Sequence, residues 1–216
     1  MPPWQRCWHD REFRESHSEA WQLALRAVQA ENSGMAVEFT TSYLKDCVDL
    51  LRYYKRLGER AMAQVGDEAL TAAPDAESNS IATIVKHLAG NMRSRFTDFL
   101  TADGEKPDRR RDSEFEVPPK TRAEVMAAWE TGWQCVFNAL SPLEDEHLAQ
   151  KVYIRSEAHS VMQALNRQLA HYAYHVGQIV YLAKHFAGAN WTALTIPRGK
   201  STEFTTRVAS GKASQR

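Results

Sequence analysis

The chain has 216 residues, of which 43% are hydrophobic and 25% are charged, as in an ordinary globular protein with one domain and a substantial core. Lysine plus arginine and aspartate plus glutamate number 27 each, and this zero net charge argues against binding to nucleic acid. The three cysteines form no Cys-x-x-Cys pair, which is typical of a reducing compartment. No apolar run reaches the length of a membrane span, and the N-terminus lacks a secretory signal. We therefore predict a soluble, cytoplasmic protein without nucleic-acid or membrane partners.

The N-terminal part of the sequence differs from the rest. Residues 1–34 mix tryptophans, charges and histidines with little periodicity, and Met35 follows directly. We hypothesise that Met35 is the natural start and that residues 1–34 are an extension outside the fold. N-terminal sequencing of protein made from the native gene tests this. The predicted folded domain then covers 35–201, and a flexible tail covers 202–216.

The first half of the domain contains two helical patterns and a long loop. Apolar residues at helical spacing predict helix one over about 41–65. Helix two is predicted over about 78–100, with Ser78 or Ser80 as its N-terminal cap. Residues 105–120 are charged and contain three prolines, so we predict a loop there.

This predicted loop contains the only cluster of basic residues in the sequence. Arg109, Arg110 and Arg111 are consecutive, and Asp108 and Asp112 flank them. Because acidic residues enclose the cluster, we interpret it as part of a solvated loop rather than as a binding surface.

Helix three is predicted over about 121–140. Thr121 and Glu124 have the spacing of a capping box, in which each side chain accepts a hydrogen bond from the other residue's backbone amide. Pro142 prevents the helix from continuing. Residues 152–155 indicate a short extended segment.

Helix four is predicted over about 160–186, and Gly188 ends it. Four long amphipathic helices without a convincing sheet favour an all-α fold. We predict a four-helix bundle in which the loop between helices two and three serves as a long crossover connection.

Helix four carries two histidines that could bind a metal ion. His171 and His175 are four residues apart, so their side chains lie one turn apart on one face. Together with Gln168 and Gln178, the two histidines form a polar strip beside the apolar face of helix four. A pair of this kind is also common among half-buried histidines without a metal. Tyr172 stands where a zinc protease would have its glutamate, so that activity is excluded.

A third ligand is not evident from spacing. His147 lies in an acidic loop that we expect to be exposed, and His185 is too far along helix four to share an ion with His175. His159 precedes helix four and could reach the mouth of a site. His87 lies on helix two, off the apolar stripe, and its position alone indicates a surface or edge histidine.

Two segments resemble the DinB-like (YfiT-like) superfamily of metalloproteins, in a branch known only as a domain of unknown function. The resemblance covers Met35 to about Ser201, and it is carried mainly by Ser80-Ile-Ala-Thr-Ile-Val-Lys-His87-Leu-Ala-Gly-Asn91-Met and by Asn166-Arg-Gln-Leu-Ala-His171-Tyr-Ala-Tyr-His175-Val-Gly-Gln-Ile.

The resemblance implies that His87 joins His171 and His175 in binding a divalent metal ion. It also implies a small-molecule substrate, because better characterised relatives are thiol-dependent transferases or a mycothiol-dependent isomerase. Three histidines with open positions are typical of a catalytic site. Asn91 and Arg95 lie one and two turns beyond His87, and we predict that they bind an anionic part of the substrate or orient a ligand. Equally, Arg95 could simply pair with an acid.

Alternatives of other classes remain open at this point. A homodimer is expected from the relatives, and a non-catalytic dimer with a structural metal or a small bound ligand is the second interpretation. DNA binding is suggested only by the superfamily's name, and the zero net charge argues against it. Three imidazoles suit zinc, nickel, iron or copper, so the sequence does not identify the metal.

Overall fold

A computed structural model describes residues 42–214, and this part of the chain is mostly helical. The hairpin strands are β1 Lys151–Ile154 and β2 Glu157–Ser160. Within the described range, no helix combines the length and the apolar character needed to cross a membrane. The predicted all-α class is confirmed in the broad sense that the described residues are mostly helical and contain one two-stranded hairpin. The helices are α1 Tyr43–Met62, α2 Asp67–Thr71, α3 Ile81–Phe96, α4 Arg122–Leu140, α5 Val161–Ala187 and α6 Ser201–Ala209.

Side-chain caps fix where the long helices begin. Ser80, one of the two predicted candidates, caps α3, and its Oγ accepts a backbone N–H at 3.1 Å. The predicted capping box of Thr121 and Glu124 opens α4. Ser160 opens α5 with a second box that Gln163 completes. Each cap satisfies backbone amides of the first turn, so these starts follow from local sequence.

The long helices pack around one apolar core. Helix α3 lies against α4, α1 lies against α5, and α3 also contacts α5. The close approach of α3 and α4 requires Gly132, because a Cβ there would come within 2.9 Å of the Cα of Ala89. Trp129 and Trp133 are buried in this core. This packing brings together α3 and α5, the two helices that carry the candidate ligands.

Several elements differ from the sequence prediction. Helix α3 ends at Phe96, earlier than predicted, and Asp98 then has a positive φ of 50°. The extended segment predicted at 152–155 is one strand of a hairpin rather than an isolated piece. Arg155 and Ser156 form its two-residue turn with φ of 55° and 64°, the left-handed conformation that such hairpin turns require. The prediction also lacks α2 and α6, since short helices leave little periodicity.

The two ends of the chain bear differently on the predicted domain limits. The predicted extension, residues 1–34, and the proposed start at Met35 lie outside the described residues. Helix α6 occupies part of the segment predicted as a tail, 202–216. The division into an extension, a domain over 35–201 and a tail stays a prediction.

The carboxylate of Asp103 links the loop between α3 and α4 to the hairpin turn. Asp103 Oδ1 accepts hydrogen bonds from the backbone N–H of Glu105 at 2.7 Å and of Arg155 at 2.8 Å. Asp103 Oδ2 accepts from the N–H of Ser156 at 2.7 Å. These bonds give a proline-containing loop a defined path across the end of α3.

Candidate metal centre

Three histidines from two helices converge on one point. His87 lies on α3, and His171 and His175 lie one turn apart on α5. Each offers one ring nitrogen, and these atoms lie within 4.8 Å of one another. The Nε2 atoms of His87 and His171 are 3.3 Å apart. Two nitrogens bound to one tetrahedral ion at about 2.0–2.1 Å would be separated by roughly the same distance. The donor set therefore fits a divalent ion.

The position-based prediction that His87 is a surface or edge residue is wrong. Its exposed fraction is only 4%. The loop between α3 and α4 folds back over this face of α3 and places Phe115 against the imidazole, with the ring centroids 4.8 Å apart. A helical wheel reports which face of a helix is apolar, but it cannot register a distant loop that covers a polar face. His87 instead lies beside His171 and His175, as the resemblance to the metalloprotein superfamily implies.

The same loop supplies Glu114, a residue that the sequence analysis missed. His87 Nδ1–H donates to Glu114 Oε2 at 2.8 Å, and both side chains are buried. With its Nδ1 proton held in this way, His87 presents the lone pair of Nε2 to His171. A carboxylate behind a metal-binding histidine fixes the tautomer and orientation of the ring and increases its basicity. Glu114 lies in a short 3₁₀ turn of a charged loop, which carries no periodic signal.

Glu114 is itself held by Arg109. The guanidinium donates from Nε to Oε1 at 2.9 Å and from Nη2 to Oε2 at 3.1 Å, in the bidentate geometry that arginine and carboxylate favour. Burial opposes ionisation of Glu114, but the hydrogen bonds from His87 and Arg109 outweigh it and lower the pKa of this carboxyl. The interpretation of Arg109 as solvated is therefore wrong, since its side chain is 4% exposed, whereas Arg110 and Arg111 are exposed as expected.

The histidines of α5 are also oriented. His175 Nδ1–H donates to Gln178 Oε1 at 2.7 Å, which leaves Nε2 of His175 for a ligand. Gln168 is buried beside the triad, and its Oε1 lacks a hydrogen-bond partner among the described residues. Of the two glutamines in the predicted polar strip, Gln178 therefore positions a histidine, and Gln168 retains an unused acceptor.

The imidazoles of α5 are electrically neutral over a wide pH range. Burial, followed by the proximity of His175 and His87, lowers the pKa of His171 to about 3. Burial also lowers the pKa of His175, although the hydrogen bond to Gln178 opposes this shift. Metal ions bind the neutral form of histidine, so these groups need not lose a proton before binding one.

Asn91 and Arg95 are both buried on the His87 side of α3. Asn91 Oδ1 accepts from the hydroxyl of Tyr172 at 3.1 Å. Arg95 forms an ion pair with Glu105 at 3.0 Å and donates to the carbonyl of Gly104. Both line the same cavity as the histidines. The structure thus contains the acid pairing considered for Arg95, while a catalytic role for either residue stays a prediction.

An open polar cavity of about 680 Å³ lies over the triad. Besides the three histidines, its wall includes Tyr174, which the helical pattern of α5 does not associate with the site and which is 62% exposed. The other described histidines do not line this cavity. His159 contacts the carbonyl of Glu157, His147 caps its own 3₁₀ turn, and His185 is exposed. None of these three therefore closes the coordination of an ion at the triad.

Comparison with known proteins places the chain within a family. The sequence profile of a family described as "Protein of unknown function (DUF1572)" matches residues 38–200, which is most of the chain. The chain belongs to this family. No curated protein and no solved structure gave a significant match. This confirms the prediction that the chain belongs to a domain family of unknown function. The matched region of the family contains both helices of the triad.

Proposed function

We propose that this protein is a DinB-like metalloprotein, a four-helix bundle whose His87, His171 and His175 bind a divalent metal ion. The convergence of three ring nitrogens within 4.8 Å is the observation that carries this proposal. Two further observations support it: the rings are oriented by Glu114 and Gln178, and the α5 imidazoles are neutral. Three imidazoles suit zinc, nickel or iron.

We further propose that the site is catalytic, in a transferase or isomerase that uses a low-molecular-weight thiol. The cavity over the triad leaves room for a substrate atom beside the three imidazoles, which is the pattern of catalytic rather than structural sites. A divalent ion bound there would lower the pKa of a thiol or water and so supply a nucleophile at neutral pH. The residues of this chain would orient the substrate, with Asn91 and Arg95 in the cavity wall beside His87.

Metal analysis of tag-free protein tests the proposal. Purified wild type is compared by mass spectrometry with His171→Ala and with His185→Ala, an exposed histidine on the same helix that does not line the cavity. We expect nearly one metal ion per chain in wild type and His185→Ala, and its loss in His171→Ala. Absence of metal from all three, even after loading with divalent ions, would contradict the proposal.

As a second candidate we propose a non-catalytic homodimer that has a structural metal or a small-ligand-binding role. The observation that favours it is the exposure of aromatic side chains on the outer face of α5, where Tyr181 is 71% exposed. Such residues are enriched in protein interfaces. Light scattering tests for the dimer. Exchange of metal-bound water separates the two candidates, because a structural site would lack exchangeable water and a catalytic site would retain it.

A further inference from the structure

Five arginines line the cavity over the histidine triad. They come from four separate parts of the chain: Arg95 from α3, Arg109 and Arg111 from the loop before α4, Arg155 from the hairpin turn, and Arg167 from α5. No aspartate or glutamate is among the described residues that line this cavity. Side chains of one sign that converge from several segments create a local positive potential that the zero net charge of the chain conceals.

Three of these arginines have structural partners. Arg95, Arg109 and Arg155 all lie within 3.5 Å of the Glu105 carboxylate, and Arg109 also pairs with Glu114. Their guanidinium groups therefore hold the loop and the hairpin together. Glu105 and Glu114 are thus the ion-pair partners of all three guanidinium groups.

The remaining two arginines are less committed. Arg111 is about half exposed, lies 3.7 Å from the almost fully exposed Asp112, and stacks over the ring of Phe115. The Arg167 side chain is exposed and makes no hydrogen bond or ion pair within residues 42–214. An exposed ion pair such as Arg111–Asp112 has little net strength. Both guanidinium groups are therefore available to a ligand.

Nearby carboxylates do not cancel this charge. Glu105, Glu114, Asp112 and Asp103, which accepts the three backbone amides described above, carry four negative charges against five guanidinium groups. A divalent ion at the triad would add two positive charges. An arginine fork binds the oxygens of a carboxylate or a phosphate in bidentate fashion, so the cavity is suited to an anion.

We propose that the cavity over the triad binds a substrate with an oxyanion group, a carboxylate or a phosphate, and that Arg111 and Arg167 bind this group. The inference deepens the thiol-dependent function proposed above and rests on it for the identity of the reacting atom. Under that function, the substrate is an anionic thiol whose sulfur faces the histidines. Arg95 and Arg109 act mainly as positioning residues.

Calorimetric titration of the full chain, loaded with its metal, tests the inference. The thiol probes are mercaptosuccinate, which carries two carboxylates, and thioglycerol, a neutral thiol of similar size. The proteins are wild type, the double variant Arg111→Gln with Arg167→Gln, and Arg110→Gln, an exposed neighbour outside the cavity wall. The metal content of each preparation is measured alongside.

We expect wild type and Arg110→Gln to bind mercaptosuccinate at least about tenfold more tightly than thioglycerol, the factor that corresponds to one hydrogen bond to a charged group. The double variant should lose this preference and keep its metal. Equal affinity of wild type for the two thiols, or a preference that survives in the double variant, would overturn the inference.

Thiol-free anions separate this inference from the proposed function. Succinate and inorganic phosphate are titrated into His171→Ala with and without the Arg111→Gln and Arg167→Gln changes. Binding that depends on the two arginines supports the oxyanion site even if wild type takes up no metal, and whichever anion binds identifies the group. If His171→Ala shows no arginine-dependent binding of either anion while wild type binds metal, the oxyanion site is rejected and the metal function stands.

Discussion

Glu114 Oε2 accepts a hydrogen bond from His87 Nδ1 at 2.8 Å, and this contact joins the loop between α3 and α4 to the candidate metal centre. Arg109 donates hydrogen bonds to both oxygens of the same carboxylate. The arrangement is a chain of three buried groups in which an arginine fixes a carboxylate and the carboxylate fixes a histidine. Removing the middle group should therefore act on the metal through the orientation of His87.

Glu114→Gln is expected to reduce metal affinity by about 10–100-fold, the usual effect of losing a carboxylate behind a ligating histidine. The neutral amide binds His87 more weakly and removes the bidentate ion pair of Arg109. Competition titration with a chelating dye measures the affinity, and circular dichroism confirms the fold. Glu116→Gln, an exposed position of the same loop, is the matched control. Unchanged affinity in Glu114→Gln would show that His87 needs no such support.

Gly90→Ala tests how closely the loop must approach α3. A Cβ at this position would come within 2.7 Å of the Glu114 Cδ, and Arg109 prevents that side chain from moving away freely. In an open helix interior the change would stabilise the fold by up to about 1 kcal/mol. Here we expect it to lower the free energy of unfolding by about 1–3 kcal/mol, as overpacking does. Urea unfolding measures the difference.

Gly177→Ala on α5 is the control for that experiment, because a Cβ there meets nothing within 4 Å. It should be neutral or stabilising. In a Glu114→Ala background, the cost of Gly90→Ala should largely disappear, since the side chain that it strikes is gone. A cost that persists in the double variant would mean that the strain arises elsewhere.

The sequence predicts the elements whose causes are local. Helix caps act within one helical turn. The capping box at Thr121 and the cap at Ser80 are observed at the N-termini of their helices, and the stop at Gly188 is observed at the C-terminus of α5. The pair His171 and His175 is equally local, because helical spacing alone places the two side chains on one face.

The rest of the site depends on contacts between distant segments. His87 is buried because a charged, proline-containing loop returns across α3, and neither helical periodicity nor composition encodes that path. The same loop converts Arg109 from an apparently solvated residue into a buried partner of Glu114. The family resemblance supplies the location of His87, but it does not supply the residues that orient it.

Asp103→Ala tests the anchor of this loop. The carboxylate accepts three backbone amides, from Glu105, Arg155 and Ser156, and alanine would leave all three to water. We expect a loss of about 1–3 kcal/mol in the free energy of unfolding and greater protease sensitivity in the loop. Asp108→Ala, an exposed residue of the same loop, should change neither quantity. Equal stability of the two variants would mean that the loop is held without Asp103.

The same anchor predicts a pH dependence with a defined sign. The backbone hydrogen bond from Glu105, together with those from Ser156 and Arg155, lowers the pKa of Asp103 below its usual value of 3.8. A carboxyl with a lowered folded-state pKa stabilises the fold above its unfolded-state pKa, and this contribution is lost as the pH falls through the folded-state value.

Asp103→Asn cannot ionise and turns an amide NH2 or oxygen toward these N–H groups. The free energy of unfolding of wild type should therefore exceed that of Asp103→Asn at pH 6, and the difference should shrink toward pH 3. Both proteins share Glu105 and Glu114, so the acid sensitivity of those carboxylates largely cancels in the comparison. Urea unfolding at several pH values measures the difference, and one that stays constant over this range would assign the stabilisation to shape rather than to the charge of Asp103.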